Sequence, residues 1–177
     1  MMNYAFVIKN YSPLSCKVEI LHKEYGKIIC MYSKDHQARL LTTGTLILCD
    51  IEKLNYSNRL NIVEILISAS TQDLEQLEFI HQVALICKKL LPSGVAVEDL
   101  FNFLLYVYEH MKEIDKISRK IVLLRLFFLC EIFDGSLDIY KTAMQNPFNK
   151  ELDNVQSIDK YIQLGFHKLF QEKNITF

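Results

Sequence analysis

The sequence predicts an α+β protein, with an N-terminal five-stranded β-barrel followed by an α-helical domain. Three observations carry that prediction. Apolar residues alternate with polar ones up to about residue 70 and recur with a helical period beyond it. Five short strand-like runs are separated by turn clusters in the first part. The 177 residues are half apolar, with five Gly and three Pro, which is enough to bury a core and excludes disorder or low-complexity sequence. The change of period sets the predicted domains at 1–70 and 71–177.

The strands are read in order. Tyr4 to Lys9 is a short apolar run stopped by Asn10-Tyr11-Ser12-Pro13. Cys16, Val18 and Ile20 alternate with Lys17 and Glu19, the pattern of a half-buried strand. Lys27 to Tyr32 follows a Tyr25-Gly26 turn. Leu46 to Leu54 and Leu60 to Ser68 flank Asn55-Tyr56-Ser57-Asn58, a link of hairpin length. A five-stranded barrel of the oligonucleotide/oligosaccharide-binding (OB) type is the simplest closure of such a set. From Asp73, a helix-capping residue, the apolar positions Leu74, Leu77, Ile80, Val83, Ala84 and Cys87 define a first helix, stopped by Pro92-Ser93-Gly94. A second runs from about Val97 to Lys112, with Glu98 and Asp99 in its first turn. A third, Ile117 to Phe133, is apolar almost all round after Lys120, which places it in the centre of a bundle. Asp134-Gly135-Ser136 ends it, Asn146-Pro147 marks a further break, and Ser157 to Glu172 is an amphipathic closing helix.

Charge is nearly balanced, 20 Lys+Arg against 21 Asp+Glu, with a net of +2 over residues 1–70 and −3 over the rest. A protein that holds nucleic acid chiefly by neutralising phosphates carries a larger basic excess, so any such binding here is local. The longest apolar stretch, Ile121 to Phe133, is broken by Arg125 and Glu131 and is too short to span a bilayer. No basic leader precedes an apolar segment at the N-terminus, so the expected address is the cytoplasm. Cysteines at 16, 30, 49, 87 and 130 form no close pair and sit in apolar runs, which predicts reduced, buried thiols.

Tests for chemistry are empty. Phosphate-binding Gly loops, GxSxG, HExxH and dinucleotide fingerprints are absent. The histidines at 22, 36, 81, 110 and 167 have no ligand partner at i+4, so no metal and no other cofactor is expected. Asp134 and Asp138 read as a helix end and a turn, not as an acid/base pair. An enzyme is not expected.

The order of motifs narrows the field. Tyr4-Ala5-Phe6-Val7-Ile8 is followed by Asn10-Tyr11-Ser12, by His22-Lys23-Glu24-Tyr25-Gly26-Lys27, and then by Lys34 and Arg39. Leu90-Leu91-Pro92 precedes Asp99-Leu100-Phe101, and Val122 to Leu137 forms a helix and turn. This succession, over residues 4–140, resembles the bacterial recombination mediator RecO. That family has an apolar first strand, a "T-x-E-x-G-[RK]" hairpin, a basic "KGARRxxS" stretch, an "LLPExEPxxxLF" segment and an "ELxLLELLGYxPxL" helix. Here Asp35-His36-Gln37 replaces the Gly and Arg residues of the basic stretch. Tyr140 stands near the first cysteine of the zinc module found in many members, so the chain resembles a short, zinc-less form.

The resemblance implies a non-enzymatic, nucleoid-associated role in recombinational repair. Proteins of this kind bind single- and double-stranded DNA, anneal complementary strands, contact the tail of single-stranded DNA-binding protein, and load the recombinase with RecR. The residues suited to DNA are Lys9, Lys17, Lys23, Lys27, Lys34, Arg39 and Arg59, with Tyr32 as a base-stacking surface. A docking groove for an acidic, aromatic peptide tail is expected at Arg119, Lys120, Ile121, Leu124 and Phe128. The alternative is an interaction scaffold of the same fold with little DNA affinity of its own.

Overall fold

The computed structural model describes residues 2–11, 15–33, 41–67, 73–147 and 155–171. The strands are β1 (Asn3–Asn10), β2 (Lys17–His22), β3 (Gly26–Tyr32), β4 (Leu46–Leu54) and β5 (Ser57–Ile67). They close into a barrel in the order β1-β2-β3-β5-β4, all pairs antiparallel except β3 with β5. That is the expected α+β architecture with an OB-like barrel. The helices are α1 (Leu74–Leu90), α2 (Glu98–Glu109), α3 (Lys116–Leu129), α4 (Tyr140–Met144) and α5 (Val155–Gln171), with a 3-10 turn at Met111–Glu113. The change of period near residue 70 marks the passage from strand to helix. The compact units divide elsewhere, between Tyr108 and Glu109, so α1 and nearly all of α2 belong with the barrel.

In the first unit the two faces of each strand have different fates. Inward positions Ala5, Val7, Val18, Ile20, Cys30, Tyr32, Ile47, Cys49, Ile51 and Leu60 fill the barrel together with Leu41. Outward positions Phe6, Ile8 and Leu21 are buried as well, because Val83, Ala84 and Cys87 of α1 and Leu104 and Tyr108 of α2 cover them. The Phe6 ring lies 5.0 Å from Phe101 and 4.7 Å from Tyr108. The cavity left in this interface is about 10 Å³, room for one water at most. Two glycines in the left-handed region permit the close approach. A Cβ on Gly44 (φ +86°) would strike Ile80, and one on Gly26 (φ +64°) would strike the Val95 carbonyl. Beside Gly26, Lys27 bridges to Ser93, and its carbonyl accepts from the Gly94 N–H at 2.9 Å.

Asp73 caps α1 as predicted, accepting from the Gln76 N–H at 3.0 Å. The hairpin link is shorter than the sequence suggests. Ser57 already pairs with Leu54 and Asn58 with Lys53, so the turn is only Asn55-Tyr56.

In the second unit α3 packs against α4 and α5. Asp115 caps α3 by accepting from the Ser118 N–H at 2.7 Å. The helix stops at Leu129, not at Phe133, although the apolar run continues. The Ile132 N–H donates to the Phe127 carbonyl at 2.9 Å and the Glu131 N–H to Phe128 at 3.0 Å, with Glu131 at φ +60°. This paired closure reverses the chain, and Phe133 folds back 5.9 Å from Phe127 and 5.5 Å from Phe128. Lys168 of α5 closes the same end, donating to the Ile132 carbonyl at 3.1 Å and lying over the Phe133 ring. Gly165 lets α5 sit against Phe127, whose ring would be 2.6 Å from any Cβ there.

Candidate nucleic-acid interface

The part of the barrel exterior not covered by α1 and α2 lies on β2, β3, β5 and β4. Register fixes its layout. One row across these strands is Lys17, Met31, Arg59 and Glu52. A second row, Lys9, Glu19 and Ile29, crosses from the end of β1 to β2 and β3, with Lys9 half-buried, Glu19 buried and Ile29 exposed. Alternation puts Leu54 and Ser57, a cross-strand pair, on the same outward side as Glu52 and Arg59. The Asn58 amide donates to the Ile29 carbonyl at 3.2 Å and ties β5 to β3 there.

This face mixes charge with apolar surface. Ile29 is 52% exposed, Met31 39% and Leu54 43%, and Tyr56 at the turn tip is 101% exposed. Arg59 and Glu52 face each other at 3.6 Å, both exposed, a pair that contributes little to stability. The Lys9 ammonium lies 4.5 Å from the Tyr11 ring centroid, and the Tyr11 hydroxyl donates to Glu19 at 3.2 Å. Burial, and then the Glu19 carboxylate, hold the Tyr11 phenol above its ordinary value. Lys17 is exposed.

The eight DNA-binding candidates therefore do not form one site. Lys9, Lys17 and Arg59 share the open face. Lys23 lies in the Lys23–Tyr25 turn at the far end of β2, about 20 Å from Lys17 at about 3.3 Å per residue. Lys34 and Arg39 lie outside the described residues. Two placements are corrections. Lys27 is only 8% exposed, and its ammonium donates to the Lys88 carbonyl at the end of α1, 2.7 Å away. An outward position on β3 is solvent-facing only where no helix covers it, and here α1 does. Tyr32 points into the barrel and donates its hydroxyl to Asn10 Oδ1 at 3.1 Å, so its ring is core and offers no stacking surface.

The expected peptide groove is corrected too. Ile121 and Leu124 are fully buried and Phe128 nearly so, because a helix apolar on all sides is packed on all sides. Lys120 is engaged with Asp159 of α5 at 2.7 Å, and Arg119 is half-buried. The apolar side chains named are core, and none of them is available to line a groove.

Sequence reasoning missed Ile29, Met31 and Tyr56. The β3 run is apolar at both parities, so the exposed parity was legible only with the helix cover in hand. Tyr56 carried a signal, an aromatic residue in an otherwise polar turn.

His22 and the barrel cysteines are enclosed by the fold. His22 is buried. Its Nδ1 accepts from the Glu24 and Tyr25 N–H groups at 3.2 and 3.3 Å, and its ring stacks on Tyr25 at 4.8 Å. Burial lowers its pKa, with the Glu24 and Asp50 carboxylates opposing. Cys30 and Cys49 lie in the barrel core with thiols pushed up to about 12 by burial, and Cys87 is buried, whereas Cys16 and Cys130 are only half-buried. Among the described residues, no group of three His, Cys, Asp or Glu side chains is placed to hold a metal ion, and no helix is long and apolar enough to cross a membrane. No family model matches the chain, and no curated protein matches it.

Proposed function

We propose that this chain is a RecO-like recombination mediator, a non-enzymatic, cytoplasmic and nucleoid-associated protein of DNA repair. It binds DNA on the barrel and works with single-stranded DNA-binding protein and RecR to anneal strands and load a recombinase. The observation that supports the reading is the OB-like strand order combined with an open outer face of β2, β3 and β5 bearing Lys17, Met31 and Arg59. In barrels of this type the face of strands 2 and 3 and the β4–β5 loop take oligonucleotides. The order of RecO-like segments along residues 4–140 supports it independently.

The scaffold reading is favoured by one observation, the loss of Lys27 to the α1 carbonyl. It predicts partner binding with little DNA affinity. Fluorescence anisotropy with a labelled single strand at low salt, paired with a pull-down on the tail peptide of single-stranded DNA-binding protein, separates the two. Strand binding together with tail binding is expected of the mediator. Tail binding without strand binding supports the scaffold, and neither activity refutes both.

A further inference from the structure

The β4–β5 turn presents its aromatic ring to solvent without any packing role. Tyr56 is 101% exposed, beside Leu54 at 43%, and Ile29 is 52% exposed on the neighbouring strand. Turn tips ordinarily carry small polar side chains, and a bare tyrosine there contributes nothing to the barrel core. Among the described residues, the cations of the same face are few. Lys17 and Arg59 are exposed and Lys9 is half-buried; Glu52 stands 3.6 Å from Arg59, and Glu19 is buried, accepting from the Tyr11 hydroxyl.

We propose that this face takes a single strand, with an unpaired base stacked on Tyr56 and its neighbours laid over Ile29 and Met31, and that it does not take a duplex. The inference rests on the nucleic-acid reading above and deepens it. A duplex keeps its base faces inside the stack and offers mainly phosphates, so duplex binding scales with the number of cations that neutralise them. Among the described residues, three cations, one of them paired with the exposed Glu52, give a small electrostatic term. A single strand offers π-faces that any aromatic or apolar platform can hold, largely regardless of sequence. The face is therefore matched to bases more than to phosphates.

The test uses the full chain and three fluorescein-labelled probes of about twenty residues: oligo(dT), an abasic strand of the same length, and a duplex. Wild type is expected to bind oligo(dT) more tightly than either of the others. Tyr56→Ala should weaken oligo(dT) binding about tenfold, Tyr56→Phe should restore it, and neither should move binding to the abasic strand. Lys17→Glu should flatten the salt dependence by about 0.7 in log–log slope, whereas Tyr56→Ala should leave it unchanged. The substituted side chain lies wholly in solvent, so folding is not at stake, and a circular dichroism melt checks this. Oligo(dT) binding by Tyr56→Ala equal to wild type, or duplex binding as tight as single-strand binding, overturns this proposal while the DNA-binding reading stands. Normal strand binding with loss of the single-stranded DNA-binding protein tail would assign the face to a protein partner and also overturn it. Failure of wild type to bind any probe at low salt sinks the DNA-binding reading with it.

Discussion

Lys27 is the residue at which a structural and a ligand-binding role give opposite forecasts. Its ammonium is buried and 2.7 Å from the Lys88 carbonyl, in the last turn of α1, where the orphan carbonyls and the helix dipole favour a cation. A hydrogen bond involving a charged group contributes about 1.5–3 kcal/mol, and removing the donor leaves the carbonyl less well satisfied. Lys27→Met keeps the apolar stem and deletes only the charge and its bond. A loss of about 2 kcal/mol is expected, equivalent to a fall in Tm of roughly 4–8 °C for a chain of this size.

Differential scanning calorimetry at two salt concentrations measures this directly. The loss should persist at high salt, because the pair is shielded from solvent. Lys17→Met, at an exposed position, should shift stability by no more than about 0.5 kcal/mol. In the anisotropy assay the ranking should reverse, with Lys17→Met the weaker binder and Lys27→Met close to wild type below its own melting range. A Lys27→Met protein that melts like wild type yet loses strand affinity would refute the reasoning and return Lys27 to the DNA-binding set.

Two further predictions concern stability. Glu131 occupies the left-handed position that ends α3, at φ +60°, and is exposed, so Glu131→Gly should raise stability by about 0.5–1 kcal/mol in urea titration, and a destabilised variant would show that its side chain is needed. His22 must be neutral in the fold because its Nδ1 accepts two N–H groups, and its folded pKa is lowered. Its contribution is therefore complete above the unfolded value of about 6.5 and is lost as pH falls from there toward the folded value. His22→Gln should flatten the decline in urea midpoint between pH 7 and pH 5, and an unchanged slope would assign that decline to other groups.

Much of the fold was legible because strands and helices here obey their periods closely. Val18 and Ile20 against Lys17 and Glu19, or Asp73 before Leu74, are local signals that need no knowledge of the rest of the chain. The end of α3 was not legible, since a single Glu131 inside the apolar run, like Arg125 before it, does not by itself mark a helix end. It is a glutamate in a conformation usual for glycine that turns the chain. The place where compact units divide was hidden for a related reason. Periodicity reports secondary structure, whereas the docking of α1 and α2 on Phe6, Ile8 and Leu21 depends on which outward strand positions are apolar in three dimensions.

The same cover explains why the candidate site was only partly readable. Counting lysines along a barrel assumes that every outward position sees water. Here α1 and the segment at Ser93–Val95 cover Lys27, and the open sector receives Ile29 and Met31 from the same strand. Outward parity on β3 thus runs from a lysine serving the fold to two apolar residues serving the surface. On the proposed reading this sets the character of binding. With Lys9, Lys17 and Arg59 the cations of this face among the described residues, these three contacts give a shallow salt dependence, about −2 in log–log slope for a single strand. Affinity then rests on bases that are already unpaired. A protein that hands strands to other proteins is suited by such contacts, because it holds DNA where bases are exposed and gives way when they pair. A steep measured slope for oligo(dT), near −4 or beyond, would require cations beyond these three and would refute a contact that rests mainly on bases.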